Sequence, residues 1–303
     1  MKIKNIKPIT PIQSNCISVK SHDKLFAIGE NAELLTHNSV SQQNIIISCI
    51  LRPKNWVILG IDLKRVELTR FRKFGVKVAT ELETAVEFLR FAQAVMMKRY
   101  ERMEELQVND FEDLPEDLQA LMVMIDEAGE LLSPTGAKTD EAKAADELKG
   151  EAIMIIGSIA RLGRAAGVHL AIATQRPDAK LIPGEVRDNL GVRIGCGPLK
   201  PSGSEMMFGS NIGQRIHANP KGGMYVQIHG QGNMGQGFFA PNDWLDNYFA
   251  ENNLGEEDVK TPKLSADLDD TSKGAKKEFI EYWDDDMDKV LELGENDGQQ
   301  QTA

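Results

Sequence analysis

The chain has 303 residues, with 46 acidic and 35 basic side chains and a formal net charge of −11. The charge lies at one end, because residues 1–250 sum to −1 and residues 251–303 to −10. Three cysteines without paired spacing exclude a disulfide framework and a zinc site, and no apolar run of about 18 residues could cross a membrane. We therefore expect a cytoplasmic protein with a near-neutral body and an acidic tail.

Three regions follow one another along the chain. Residues 1–38 contain short β-like pieces broken by proline and glycine, with too little apolar material to fold alone. Residues 39–250 alternate helical and strand patterns. Residues 251–303 are acidic and poor in apolar side chains, which predicts disorder apart from one short helix at 277–290.

The central region predicts an α/β domain. Helices are predicted at 40–51, 82–103 and 151–166, and strands at 57–62, 121–126, 169–174, 193–197 and 223–229. Residues 136–150 have the composition of a charged surface insertion, and the glycine-rich segment 230–239 that of a turn or loop. Apolar strands that end in polar residues, with helices between them, indicate a mostly parallel sheet with helices on both faces. Ligands in such folds bind at the carboxyl ends of the strands.

Two of these strand ends carry polar groups suited to nucleotide hydrolysis. Asp126 and Glu127 follow the apolar run 121–125, where one carboxylate can organise Mg²⁺ and the other can polarise water. Thr174, Gln175 and Arg176 follow the next predicted strand and are placed to sense a γ-phosphate. Taken alone, the acidic pair is also typical of a solvated strand end, but the two strand ends together favour an ATPase.

The segments IDLKRVEL, DEAGELL and GRAAGVHLAIATQRP, in this order, resemble the motor domain of FtsK/SpoIIIE-type DNA translocases. The resemblance covers about residues 39–240. It implies a RecA-like P-loop NTPase that binds ATP and Mg²⁺, assembles as a homo-hexameric ring and moves double-stranded DNA.

The resemblance also implies roles for individual residues. Asp126 would be the metal-organising acid, Glu127 the catalytic base and Gln175 the sensor. Arg164 would be the arginine finger for the ATP of a neighbouring subunit, although a surface charge on a helix is the ordinary alternative. Other arginines compete for the finger role, namely Arg161, Arg187 and Arg193.

The phosphate loop of this family is absent from the sequence. A G-x-x-x-x-G-K-[ST] segment should stand before the helix at 40–51, because its backbone amides and lysine hold the β and γ phosphates. Only Ser39 is present, at the position whose hydroxyl joins the Mg²⁺ shell. We therefore predict that the P-loop strand is missing from the chain and is supplied by a partner.

The residues before Ser39 resemble the C-terminal signature of inteins. This signature comprises a strand, a turn with Phe26, the apolar pair Leu34-Leu35, then His37-Asn38 and a first host residue, here Ser39. The resemblance implies that residues 1–38 are the C-terminal half of a split intein, and that the partner is an N-terminal half preceded by a Walker A loop. Asn38 would cyclise, His37 would act as general acid, and Ser39 would be the nucleophile.

Cys16 adds a second possibility for how splicing starts. Inteins usually carry an acid at this place, and a cysteine there, with Thr36 just before His37, resembles the class that begins splicing from an internal cysteine. The alternative is a small buried residue on a strand.

The sequence therefore predicts a precursor that completes its Walker A loop by trans-splicing and becomes a double-stranded DNA translocase, in a phage or mobile-element context. Alternatives are a catalytically silent ring subunit or DNA-binding scaffold, and a phage DNA-packaging ATPase. One basic cluster in the body could touch DNA phosphates, although a solvated face is the commoner explanation. It comprises Lys64, Arg65, Arg70, Arg72 and Lys73.

Overall fold

The computed structural model describes residues 34–36, 39–52, 56–116, 118–175, 181–218, 222–237, 240–252 and 254. The strands are β1 (Leu34–Thr36), β2 (Trp56–Ile61), β3 (Lys77–Ala79), β4 (Ala120–Ile125), β5 (Val168–Ala173), β6 (Val192–Cys196), β7 (Gly223–Ile228) and β8 (Gln231–Gln236). The helices are α1 (Ser39–Ile50), α2 (Leu82–Leu106), α3 (Ala128–Leu132), α4 (Asp140–Leu162), α5 (Gly184–Asn189), α6 (Pro201–Phe208) and α7 (Trp244–Glu251). Short 3₁₀ helices lie at Thr69–Phe74, Phe111–Asp113 and Asn211–Arg215.

All eight strands form one sheet in the order β3-β2-β4-β5-β1-β6-β7-β8. The first six strands in this order run parallel, and β7 and β8 are antiparallel. The predicted α/β fold with a mostly parallel sheet is thus confirmed.

Strand β4 explains why the sheet is covered on both faces. All six of its residues are buried, and successive side chains of a strand point to opposite faces. Leu121 and Val123 join the core beneath α2 and α4, whereas Met122 and Met124 join the core beneath α1 and α7. A run of apolar residues without polar alternation is therefore what a central strand between two helical layers requires.

The position at the centre of the sheet, where the P-loop strand is expected, is occupied in this structure, and its supply by a partner stays a prediction. Strand β1 lies there, with Leu35 paired to Ile172 of β5 on one side and to Arg193 of β6 on the other. An open gap would leave the backbone N–H and C=O groups of two strand edges without partners. For the chain as encoded, residues of the predicted intein segment fill this position.

Helix α4 and strand β8 also differ from the predictions. The predicted insertion 136–150 contains the first half of α4, where the Thr139 hydroxyl caps the helix by accepting a hydrogen bond from the amide of Ala142 at 3.2 Å. Asp140 and Glu141 follow the cap, where acidic side chains favour a helix start. The predicted glycine-rich turn contains strand β8, an exposed edge strand held by its backbone pairing with β7.

Two glycines allow the turn between α4 and β5 at the amino edge of the sheet. A Cβ on Gly163 would stand 2.1 Å from the backbone oxygen of Val168, and Gly167 has a φ of +65° and packs on the ring of Phe111. The buried Arg99 guanidinium of α2 donates to the backbone oxygen of Ala166 at 2.7 Å, which fixes the turn to α2. The backbone of this turn therefore requires glycine at both glycine positions of GRAAG, independently of the family resemblance.

None of the helices among the described residues is long and apolar enough to span a membrane. Several predictions fall on other parts of the chain. Cys16, His37, Asn38, Arg176 and the helix predicted at 277–290 lie outside the described residues.

Candidate functional site

Two aspartates lie side by side where β2 and β4 end. Asp62 follows β2 and Asp126 follows β4, and the amide of Asp126 donates to the backbone oxygen of Ile61 at 2.9 Å. Asp62 is fully buried, and its Oδ2 accepts hydrogen bonds from the amides of Glu67 at 2.9 Å and Leu68 at 2.8 Å. Its Oδ1 is buried without a hydrogen-bond partner among the described residues. Asp62 had no role in the predictions from sequence, although an aspartate ending a buried strand is the same signal that identified Asp126.

Burial and neighbouring carboxylates raise the pKa of Asp126. Burial raises the pKa of Asp126 to about 7, and the nearby charges of Asp62, Glu67 and Glu127 contribute to this rise in pKa, whereas Lys64 opposes it. An acidic group that resists ionisation at neutral pH lies in a place that favours added positive charge.

Glu127 is held in a strained conformation that turns its carboxylate toward β5. Its φ is +51°, which is uncommon for a residue other than glycine. The Thr174 hydroxyl donates to Glu127 Oε1 at 3.1 Å, and the backbone amide of Gln175 lies 3.3 Å from both carboxylate oxygens. Lys64 Nζ lies 3.5 Å from Glu127 Oε2. The structure therefore brings together the two strand ends that the sequence singled out.

Helix α1 begins at the same edge of the sheet. Strand β1 ends at Thr36, paired with Ala173, and α1 begins at Ser39, so only two residues connect them. A phosphate loop needs six residues and a lysine in this place. The carboxylates predicted for the acidic half of a nucleotide site thus lie together, and the described residues do not provide the predicted phosphate-binding half.

The acidic half fits a divalent cation that also has ligands from outside the chain. No group of three or more His, Cys, Asp or Glu side chains in the described ranges is arranged to hold a metal ion. Mg²⁺ usually keeps water and phosphate oxygens in its shell and takes one or two carboxylates from the protein. The unpartnered Asp62 Oδ1 and the raised pKa of Asp126 fit such a cation.

Three of the four candidate finger arginines are bound within the chain. Arg161 pairs with Glu185 at 2.7 Å. Arg187 and Arg193 donate to the backbone oxygens of Met206 and Met207 at 3.4 Å and 3.0 Å. Each of these guanidinium groups would have to leave its partner to reach a nucleotide in another subunit.

Arg164 is the exposed exception among these four. Its side chain has no hydrogen bond or ion pair with any residue in the described part of the chain. It precedes β5, whereas Thr174 follows β5, so Arg164 and Glu127 lie at opposite edges of the sheet. Arg164 therefore cannot contact a group beside Glu127 of its own chain, and its role as an arginine finger stays a prediction.

Each of the five side chains of the basic cluster contacts a partner within the chain. Lys64 pairs with Glu127 and Glu130, Arg65 with Glu81, Arg70 with Asn242, Arg72 with the backbone oxygen of Val78, and Lys73 with Asp246. Arg70 contacts Asn242 just before α7, and Lys73 contacts Asp246 within α7. Phe74 of the 3₁₀ helix Thr69–Phe74 also packs on Phe249 of α7, with ring centroids 5.1 Å apart. The cluster therefore has contacts within the fold, and its contact with DNA phosphates stays a prediction.

Asp126→Asn is expected to stabilise the chain in the absence of a cation. Because the folded-state pKa lies above the unfolded value of 3.8, the ionised carboxylate opposes folding. This penalty is absent below pH 4 and complete above pH 7. We expect the variant to gain about 1–2 kcal/mol of unfolding free energy at pH 8 and nothing at pH 4, measured by urea denaturation. Asp113→Asn, at an exposed position, is the control, and an equal gain there would contradict the explanation.

The sequence of the chain is similar to that of known proteins. Residues 38–179, a little under half of the chain, match the model of the FtsK/SpoIIIE family. DNA translocase FtsK of Caldanaerobacter subterraneus is 30% identical over 166 residues, which cover 52% of this chain and 22% of the relative. DNA translocase FtsK of Pseudomonas aeruginosa is 25% identical over 236 residues, which cover 63% and 27%. The chain thus spans about a quarter or less of the length of these curated relatives.

Solved structures share the fold. The pCW3 conjugation coupling protein TcpA, solved with ATPγS, aligns with a TM-score of 0.65 at 23% identity over 74% of this chain and 66% of that chain. EssC (ATPases 2 and 3) from Geobacillus thermodenitrificans aligns with a TM-score of 0.55 at 14% identity over 96% and 53%. Residues 38–179 thus match the FtsK/SpoIIIE family, and the described residues have the α/β fold of P-loop ATPases.

Proposed function

We propose that the chain is the C-terminal precursor of an ATP-dependent double-stranded DNA translocase. Residues 1–38 are the C-terminal half of a split intein, residues 39–250 are the motor, and residues 251–303 are an acidic tail. Trans-splicing at Asn38/Ser39 joins the motor to an upstream protein that ends in a Walker A loop.

One observation carries this proposal. The family match begins at residue 38, and Ser39 begins α1 with only two residues between it and β1. The similarity therefore starts at the predicted splice junction, where a phosphate loop should end and where its first seven residues are missing. A splice at this bond would supply the missing residues and leave Ser39 as the last residue of the loop.

The residues at the junction suit each step of splicing. The Cys16 thiolate, or the first residue of the partner intein half, attacks the last carbonyl of the upstream protein. When a thiol attacks, an S–C bond forms, the peptide C–N bond breaks, and the leaving nitrogen takes the proton that the thiol gave up when it ionised. Ser39 Oγ then displaces the thiol and forms an ester.

Release of the intein follows from Asn38. Its side-chain nitrogen attacks its own backbone carbonyl, which breaks the bond to Ser39 and closes a succinimide. His37, preceded by Thr36, donates the proton that the leaving nitrogen takes. The freed amine of Ser39 then attacks the ester and forms an ordinary peptide bond between the two proteins.

In the joined product, the acidic half of the site would serve ATP hydrolysis. Bound ATP and Mg²⁺ would supply the phosphoryl group and the cation that neutralises its charge. Asp126 and Ser39 would hold the cation, Glu127 would accept a proton from water, and Gln175 would sense the γ-phosphate. Support comes from the convergence of Glu127, Thr174 and Gln175.

The proposed oligomeric state and the proposed DNA substrate both rest on the resemblance to the same family. A homo-hexameric ring would place the exposed Arg164 at the nucleotide of the next subunit. The curated relatives are named DNA translocases, so double-stranded DNA is the proposed substrate. A phage or mobile-element origin would agree with a split intein in a nucleotide loop, and a phage DNA-packaging motor is the related alternative.

A catalytically silent ring subunit or DNA-binding scaffold is the second candidate. The observation that favours it is β1, because a chain that fills its own central strand position without a phosphate loop has a complete sheet and no ATP site. In this candidate, residues 1–38 stay attached throughout.

Co-expression with the protein encoded upstream tests these candidates. We expect a ligated product that has lost residues 1–38, identified by intact mass, and ATP hydrolysis that double-stranded DNA stimulates. The chain alone should not hydrolyse ATP. An intact chain with every upstream partner supports the silent subunit, and hydrolysis by the chain alone excludes both candidates.

A further inference from the structure

The position of β1 between β5 and β6 is a strand site filled by residues close to the predicted splice junction. Of the residues that the structure describes here, Leu34–Thr36 pair with the neighbouring strands, opposite residues 171–173 of β5 and 192–194 of β6. Strand β5 has six residues and β6 has five. A longer parallel strand would find further backbone partners along both neighbours.

This site is needed for the sheet to be continuous. In the observed order, β1 is the sole link between the four strands β3-β2-β4-β5 and the three strands β6-β7-β8. Without an occupant, two buried strand edges would carry unpaired backbone groups. The motor region can therefore fold before splicing only if some strand occupies the site.

The present occupant is incompatible with ATP binding. It reaches α1 through two residues, which cannot surround a triphosphate. A strand joined to Ser39 through a full phosphate loop would have to enter the same position, because it precedes the same helix at the same sheet edge.

We propose that the position between β5 and β6 is a strand-exchange site. Leu34–Thr36 occupy it in the precursor, keep the sheet intact and leave the motor without an ATP site. The upstream partner then supplies a parallel apolar strand of about five or six residues, the length of β5 and β6, followed by the phosphate loop, and displaces them. The exchange rests on the proposed trans-splicing, whereas occupancy of the site before splicing does not.

Hydrogen exchange of the full chain tests the occupancy without any partner. Leu35→Pro removes a backbone N–H and disfavours the strand. We expect backbone amides of residues 171–173 and 192–194 to exchange at least about 10-fold faster. The control is Asn233→Pro in the edge strand β8, whose effect should stay within 223–228. Unchanged exchange in Leu35→Pro would overturn the proposal. If that variant does not fold, Leu35→Gly should give a smaller increase in the same segments.

A disulfide that locks the occupant tests the exchange. Leu35 and Ile172 are paired in register, and neighbouring strands lie about 4.8 Å apart, within the range that a disulfide spans. We expect oxidised Leu35→Cys/Ile172→Cys chain to give no ligated product with the upstream half, and reduction to restore ligation. Oxidised wild-type chain controls for Cys16. Ligation at the wild-type rate while the disulfide is intact would overturn the exchange. A wild-type chain that never splices would overturn the proposed function and the exchange, and the hydrogen-exchange result would still decide occupancy.

Discussion

Asn38→Ala is expected to abolish release of residues 1–38 when the chain is co-expressed with its upstream half. Alanine has no side-chain nitrogen to attack the backbone carbonyl of residue 38, so the peptide bond before Ser39 has no intramolecular route to cleavage. The branched ester on Ser39 should accumulate in place of the ligated protein. Intact mass spectrometry before and after mild hydroxylamine, which cleaves esters, measures both species.

Two further variants test whether the effect is specific to Asn38 and which residue starts splicing. Asn31→Ala changes the same residue type within residues 1–38 and should splice as the wild type does. Cys16→Ser should give neither the ester nor the product if the thiol starts splicing, and should splice normally if the partner's first residue does. Ligated product from Asn38→Ala in wild-type yield would exclude asparagine cyclisation and, with it, the intein assignment.

Glu127→Gln should lower ATP hydrolysis by the ligated protein about 100- to 10,000-fold, the usual contribution of a general base. The amide retains the shape of the carboxylate and can keep the hydrogen bond from Thr174, but it cannot accept a proton from water. ATP binding should change little, because the base acts after binding. Steady-state phosphate release and equilibrium binding of a fluorescent ATP analogue measure the two effects.

Glu130→Gln is the matched control for this loss. Glu130 lies in α3, 3.7 Å from the same Lys64 Nζ, and its side chain is 54% exposed. It shares the lysine of Glu127 but not the contacts with β5, so hydrolysis should stay within about twofold, as expected for an exposed ion pair. A similar loss in both variants would indicate that the charge around Lys64, and not proton transfer by Glu127, supports hydrolysis.

The sequence predicted the parts of the fold whose side chains are buried in long runs. Strands β2, β4 and β5 and helix α2 have such runs, and their predicted positions agree with the structure within a few residues. Strands β1 and β3 have three residues each, too few to give a periodic pattern. Strand β8 is polar and glycine-rich, and its pairing with β7 outweighs its weak strand propensity.

The sequence predicted those residues of the candidate site that directly follow a strand. It did not predict contacts between segments that are distant in the chain. Glu127 and Gln175 were placed at adjacent strand ends, and the structure joins them through 3.3 Å contacts. The pairing of Lys64 with Glu127 brings in a loop from β2 that no local pattern indicates. The five basic residues form a cluster in sequence, yet their partners lie on separate elements, so only the structure shows that each has a partner within the chain.

Strand β5 connects the turn at Arg164 with the residues that contact Glu127. All six of its residues are buried, and it is paired with β4 along most of its length and with β1 at its carboxyl half. Such a strand is about 20 Å long and can neither stretch nor buckle. Arg164 precedes one end, and Thr174 and Gln175 follow the other. In the proposed ring, β5 would therefore link the turn at Arg164 rigidly to the residues that contact Glu127.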